Sequence, residues 1–377
     1  MVLLLQYTLI FSSVLILVAL GGCFAEHSGV INLGLEGIMV LGALGGALVM
    51  RYFGDSVSGA ALVLLVLLGS VLFGVVYSTL LGVASINFKA DQTLVGTAMN
   101  LLGTAGATVI VKAINTAANP DDVSSAIQYA TPKTAFIVNI GKFEFNWFML
   151  IAFIAIIFAW VTLYKTRFGL RLMACGEHPQ AADSVGINVY KMRWAGVLIS
   201  GMLGGLGGIC YILAGVSEWR FENGVAGFGF LALAVMIFGQ WKPWRIALAA
   251  LLFGLFRALS NVYVGFDFLK VLNIPGPVYN MMPYIISLIV LAFIGKHFHH
   301  DRAVYISVMI FTWAAAIFDF MKTLPAAVRS ALHLDAAVDL ARGFLPLFDQ
   351  NLGWLIPAII GFAIGLAIHF SKRAKTR

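Results

Sequence analysis

AALVLLVLLGSVLFGVVYSTLLGVA, residues Ala60 to Ala84, carries no charged side chain and decides the class of this chain. A helix that crosses a bilayer needs about 20 consecutive apolar residues. A helix on the surface of a water-soluble protein is apolar along one stripe only. Comparable runs lie on both sides: Leu4 to Gly22, Ile31 to Met50, Thr93 to Val111, Trp147 to Tyr164, Trp194 to Ala214, Phe228 to Gly239, Ile246 to Val262, Met281 to Gly295, Val304 to Phe320 and Gly353 to Phe370. The pattern predicts an all-α, polytopic membrane helix bundle of roughly 9–11 transmembrane helices.

Composition agrees. Of the 377 residues 61% are hydrophobic and 11% charged, with a mean hydropathy of +0.95, against a charged share of about 25% in soluble domains. The net charge of +7 does not indicate nucleic acid, because the basic residues sit at the ends of apolar runs, where they set topology. Cys23, Cys175 and Cys210 are odd in number and widely spaced, which suits neither a disulfide framework nor a metal site. Leu20, Gly21, Gly22 and Cys23 look like a lipoprotein cleavage site, but the run from Met1 to Cys23 lacks the basic residues of an n-region and is read as a first, uncleaved helix.

The longest polar interval with internal pattern is Lys165 to Ala195, KTRFGLRLMACGEHPQAADSVGINVYKMRWA. Lys165, Arg167, Arg171, Lys191 and Arg193 place it on the cytoplasmic side. Alternating spans from there puts Lys242 and Arg245, Lys296 to Arg302, and Lys372 to Arg377 inside, and Asn115 to Lys142 outside. Its small residues suit a short helix docked into a partner's groove. The pattern of Phe168, Gly169, Leu172, Ala174, Gly176, Ala181, Ala182, Gly186 and Ile187 resembles the coupling loop of permease subunits of bacterial ABC importers, in the branched-chain amino acid, simple-sugar and nucleoside class. GVINLGLEGIMVL, Gly29 to Leu41, is similar to the N(I/L)GxEG element of the sugar and nucleoside branch, through Asn32, Leu33, Gly34, Glu36 and Gly37.

The resemblance covers Val14 to Lys296 and implies a permease domain over residues 1–300. Residues 301–377 are then an extension, with two further membrane segments and an amphipathic helix between Ala326 and Gln350 on the outer surface. It also implies uptake of a small polar solute, a nucleoside or simple sugar, in the bacterial cytoplasmic membrane. The implied partners are an ABC ATPase subunit, a second permease subunit in a homologous heterodimer or a homodimer, an extracytoplasmic substrate-binding protein and the lipid bilayer. ATP and Mg would be bound by the ATPase, with no cofactor in this chain. Gly176, Glu177, Ala181, Ala182, Ser184 and Gly186 are the candidate ATPase contacts. Trp219, Glu222 and Asn223, on an outer loop, are the candidate contacts for the delivery protein.

For the substrate pathway the candidates are Asn32, Glu36, Gln92, Asn100, Gly224 and Gly229. A carboxylate at the start of a span faces either a polar cavity or the positive end of a helix; for Glu36 both readings stand. Gly224, Val225, Phe228 and Gly229 fall over Gly29, Val30, Leu33 and Gly34 without a gap, and the two segments enter from opposite sides. Inverted repeats with broken helices at matching positions mark transport routes. Phe228 to Gly239 is too short to span alone and reads as a half-helix.

No GxxxxGK[ST] loop occurs, since the Gly-Lys pairs at Gly141 and Gly295 are followed by Phe143 and His297. No HExxH occurs either, and KHFHHDR, Lys296 to Arg302, reads as a charged inner loop. The chain is therefore read as a transport subunit, not an enzyme. A vitamin such as riboflavin is an alternative solute. An ion-coupled secondary transporter is an alternative class, but it would want paired acids in the membrane, where only Glu36, Asp319 and Glu26 lie in or near spans.

Overall fold

A computed structural model describes residues 2–57, 59–128, 134–140, 143–213 and 218–262, with Met281, Met282 and Ile285. Residues 1–258 form one compact unit and 259–377 a second. The spans expected over Val304 to Phe320 and Gly353 to Phe370, and the amphipathic helix after Ala326, lie outside the described residues. So does all of the span from Met281 to Gly295 except the three positions above.

Among the described residues ten helices follow in order: α1 (Val2–His27), α2 (Leu35–Phe53), α3 (Gly59–Gly82), α4 (Gln92–Ala118), α5 (Trp147–Lys165), α6 (Arg167–Glu177), α7 (Pro179–Ser184), α8 (Val189–Leu213), α9 (Phe228–Phe238) and α10 (Pro243–Val262). Eight segments among the described residues are long and apolar enough to cross a membrane. One of them, Phe221–Phe238, reaches that length only by adding a 3-10 turn, Phe221–Asn223, and a bent segment to the 11 residues of α9. Two small antiparallel pairs cap one face: β1 (Ala126–Gln128) with β4 (Glu218–Arg220), in the register Ile127 to Trp219, and β2 (Ile137–Ile140) with β3 (Phe143–Asn146).

Local chemistry sets the ends of the spans. Asp91 caps α4 by accepting from the Thr93 and Leu94 amides at 2.9 and 3.0 Å. Asn146 does the same for α5 at the Phe148 amide, 3.0 Å away. Such caps satisfy amides that the helix itself leaves unpaired. After Gly82 the chain widens into a π-helical turn, Val83–Asn87, before Lys89 reverses it with φ 54°.

α8 is the hub, buried between α1, α2 and α3. Glycine makes this possible: a Cβ on Gly42 would collide with the Gly205 Cα, and one on Gly208 with the Met39 carbonyl oxygen. Backbones in lipid gain contact by such close approach, because no water is released to drive helices together. The outward surfaces are apolar, with Leu64, Leu68, Leu72 and Val76 on α3 and Phe153, Ile154 and Phe158 on α5 exposed.

The two faces differ in charge. Lys89, Lys165, Arg167, Arg171, Lys191, Arg193, Lys242 and Arg245 gather at the face holding the end of α1 and the helices α6 and α7, where they outnumber Glu26, Asp91, Glu177 and Asp183. Arg51 and Arg220 share the opposite face with Asp55, Asp121, Asp122 and Glu222. By the positive-inside rule the first face is cytoplasmic, as the alternation of spans from Lys165 to Ala195 requires.

Candidate functional site

Two helices begin in the middle of the bundle. The expected span from Ile31 starts as helix only at Leu35, because Ser28 to Gly34 is bent chain climbing inward from the cytoplasmic face. α1 ends in a Schellman motif: the Val30 amide bonds to the Ala25 carbonyl at 3.1 Å, the Gly29 amide to Glu26 at 2.9 Å, and Gly29 takes φ 82°. On the other side Phe221 to Gly227 enters from the outer face, with Gly224, Ala226 and Gly227 at φ 57°, 51° and 78°. α9 then runs about 16 Å to the cytoplasmic end, half of a hydrocarbon core of about 30 Å. The half-helix and the mirrored pair of broken segments expected from Gly29–Gly34 and Gly224–Gly229 are present.

Glu36 joins them. Its carboxylate accepts from the Gly227 amide at 2.8 Å and the Gly229 amide at 2.6 Å. The N-cap of α9, Gly227, has no side chain to do this. The carboxylate therefore supplies the cap from another helix, near the positive ends of both α2 and α9. Gly229 cannot be larger, since a Cβ there would lie 2.5 Å from the Glu36 nitrogen.

The remaining pathway candidates surround this junction. Asn32, fully buried, donates to the Ser200 hydroxyl at 2.8 Å and accepts from the Gly34 amide at 3.1 Å. Asn100 donates to the Leu33 carbonyl at 2.8 Å and accepts from the Gly37 amide at 2.9 Å, bridging the break before α2. Gln92 accepts from the Ile31 amide at 2.7 Å, nearer the cytoplasmic face. Gly224 accepts from the Trp219 indole at 3.0 Å.

Trp219 is half-buried and packs edge-on against Tyr211, ring centroids 5.3 Å apart, while Glu222 and Asn223 are exposed on the outer face. Phe228 lies 4.5 Å from Tyr211 and 5.7 Å from Phe11 between ring centroids, with the Arg257 guanidinium 5.2 Å from its own ring. Arg257 carries charge within the span expected over Ile246 to Val262. The sequence signal that draws attention to Glu36, an ionisable group in an apolar run, applies to it equally.

On the cytoplasmic face α6 and α7 form a hairpin of short helices. Gly176 lies beneath it, where a Cβ would be 2.5 Å from the His27 carbonyl oxygen. Ala182 is buried, 4% exposed. Glu177, Ala181, Ser184 and Gly186 are exposed, together with Val185 at 74%. Gly186 closes a second Schellman motif at φ 82°, with open space around its Cα. The six coupling candidates thus divide into two that seat the hairpin and four that present it. Burial pushes the Cys175 thiol up, offset in part by Arg193.

The chain matches the family described as branched-chain amino acid transport system / permease component over residues 4–294, and it belongs to that family. It is a transport subunit, a multi-pass protein of the bacterial inner membrane. A second match, to branched-chain amino acid transport protein, covers residues 246–372 and takes in the segment expected to be an extension. Among curated relatives it is 41% identical to the nucleoside ABC transporter permease protein NupC of Lactococcus lactis over 292 residues, 76% of this chain and 91% of that one. It is 42% identical to the guanosine ABC transporter permease protein NupQ of Bacillus subtilis over 295 residues, 77% and 91% of the two chains. The putative glucose ABC transporter permease protein TsgC13 of Haloferax volcanii is 30% identical over 263 residues, 68% and 76%. No solved structure matches.

Proposed function

We propose that this chain is a nucleoside permease, drawing ATP hydrolysis from a separate ATPase subunit through the α6–α7 hairpin. Identity of 41–42% to two permeases named for nucleosides or guanosine, against 30% to one named for glucose, carries the choice of solute. Nucleosides are uncharged and rich in hydrogen-bonding edges, which backbone polar groups at the two broken segments could meet.

The physical logic of the site follows. Two broken helices meeting inside the bundle expose backbone polar groups where lipid could never satisfy them, a geometry tolerated only where the chain is buried or lines a route. Asn32 and Asn100 hold the first break in shape. Glu36, Gly224 and Gly229 form the seam along which α2 and α9 can part. Glu222 and Asn223 offer the outer face to an extracytoplasmic binding protein, and a second permease subunit, the same chain or a homologue, completes the channel. Glu177, Ala181, Ser184, Val185 and Gly186 form the surface offered to the ATPase, with ATP and Mg held there.

Proteoliposomes containing the permease pair, the ATPase and the binding protein test this. ATP-dependent accumulation of guanosine, competed by other nucleosides and not by glucose or riboflavin, is the expected result. Competition by glucose or riboflavin at equal concentration would move the solute to another class, and accumulation without any ATPase subunit would refute the division of labour. Val185→Trp is the local probe of docking: exposed and free of the backbone strain that any side chain meets at position 186, it should abolish ATPase co-purification while the permease still inserts.

A further inference from the structure

α9 is anchored at both ends, and its cytoplasmic anchor is unlike the other turns of that face. Three helices there, α1, α7 and α9, end in the same Schellman pattern. In α9 the Gln240 amide bonds to the Ile237 carbonyl at 3.0 Å and the Trp241 amide to Met236 at 3.2 Å. Gly29 and Gly186 take the left-handed position in the first two, but Gln240 takes it in α9 at φ 51°, and Trp241 follows at φ 56°. Two successive side chains in that region are not a conformation the chain selects alone.

The contacts that impose it come from α1. The Trp241 indole N–H donates to the Glu26 carboxylate. The Trp241 carbonyl oxygen accepts from the Cys23 thiol at 3.3 Å and lies 3.3 Å from His27 Nε2. The same end of α1 seats the hairpin, because Gly176 packs against the His27 carbonyl oxygen and the Gly29 backbone. At its other end α9 presents the Gly227 and Gly229 amides to Glu36.

We propose that Trp241 is a positioning residue for coupled transport: it fastens α9 to the end of α1 on which α6 rests, so that movement of the hairpin is carried along α9 to the Glu36 junction. The 11 residues of α9 form the rigid lever. The strained Gln240–Trp241 turn is its hinge, held in this geometry only while Glu26 and Cys23 grip it. Turns of this kind are where discrete rearrangements of packed helices concentrate. The inference rests on the docking role proposed for the hairpin.

The test uses the reconstituted complex of permeases, ATPase and binding protein with radiolabelled guanosine. Trp241→Phe keeps the ring and removes the N–H; Glu26→Ala removes the acceptor, and Glu26→Gln keeps an amide oxygen in its place. The ratio of ATP hydrolysed to guanosine accumulated should rise about fivefold or more in the first two and return toward the parent value in Glu26→Gln, with ATPase association and melting temperature near normal. A parent-like ratio in both Trp241→Phe and Glu26→Ala overturns the proposal. So does a parallel loss of hydrolysis, uptake and thermal stability, which would make the contact merely structural. Failure of the docking role shows separately, as normal ATPase association in Val185→Trp.

Discussion

The two broken segments, Ser28–Gly34 and Phe221–Gly227, occupy mirrored places but are held in opposite ways. The first is braced from two helices: from α4, Gln92 bonds the backbone at Ile31 and Asn100 at Leu33 and Gly37, and from α8, Ser200 holds the Asn32 side chain. The second has three residues of positive φ within four positions, and its side-chain anchors are the Glu36 carboxylate inside the bundle and the Trp219 indole on Gly224 at its outer edge, with the Phe221 amide bonded to the Ser125 carbonyl and Phe221 and Val225 buried. On the function proposed above, the first segment is the fixed frame and the second the part that is released.

The largest effect should come from wedging the seam. Gly229→Leu drives a side chain into the backbone of Glu36, and overpacking of this kind costs about 1–3 kcal/mol or more. No assembled complex should be recovered from membranes, and recovery at parental levels would show that α9 already sits loose. Next is Asn100→Leu, which leaves the Leu33 carbonyl and the Gly37 amide buried without partners, at about 1–3 kcal/mol each. Thermal unfolding in detergent should fall by several degrees while uptake per folded molecule is retained. If uptake falls while stability holds, the frame itself is part of the gate.

The smallest effect on stability and the sharpest on transport should follow from Glu36→Gln. The amide keeps one acceptor for the Gly227 and Gly229 amides but sets its own NH2 against the other. The contact is weakened by about 1–2 kcal/mol. Uptake normalised to protein level should drop at least tenfold with near-normal insertion. Normal uptake with a modest loss of stability would reduce Glu36 to a helix cap and erase the distinction between the two halves.

Much of this was legible in the residues. Glu36 declares itself because a carboxylate in an apolar run needs a partner, and the glycines on either side signal that helices break or approach there. The short run Phe228 to Gly239 betrays a half-helix by arithmetic alone. The sequence also shows Trp241, Glu26 and Arg257, yet nothing local separates a tryptophan in a helix-to-helix turn from any interfacial aromatic. The seam between α2 and α9 joins residues more than 190 positions apart, and no periodicity reaches across that distance.

Sequence by itself determined the class, the run of spans as far as Val262, the cytoplasmic face and a patterned polar interval between Lys165 and Ala195 with room for a short helix, because hydropathy, charge at span ends and helix caps act on neighbouring residues. Only the tertiary structure decided that Asn32 and Asn100 spend their polar atoms on backbone, that Gly176 and Ala182 seat the hairpin while Ala181 and Ser184 present it, and that Glu36 caps a helix other than its own. Those outcomes depend on which backbone groups are left without partners once the helices pack. In a membrane interior, where water cannot supply the missing bonds, that is settled by distant parts of the chain meeting.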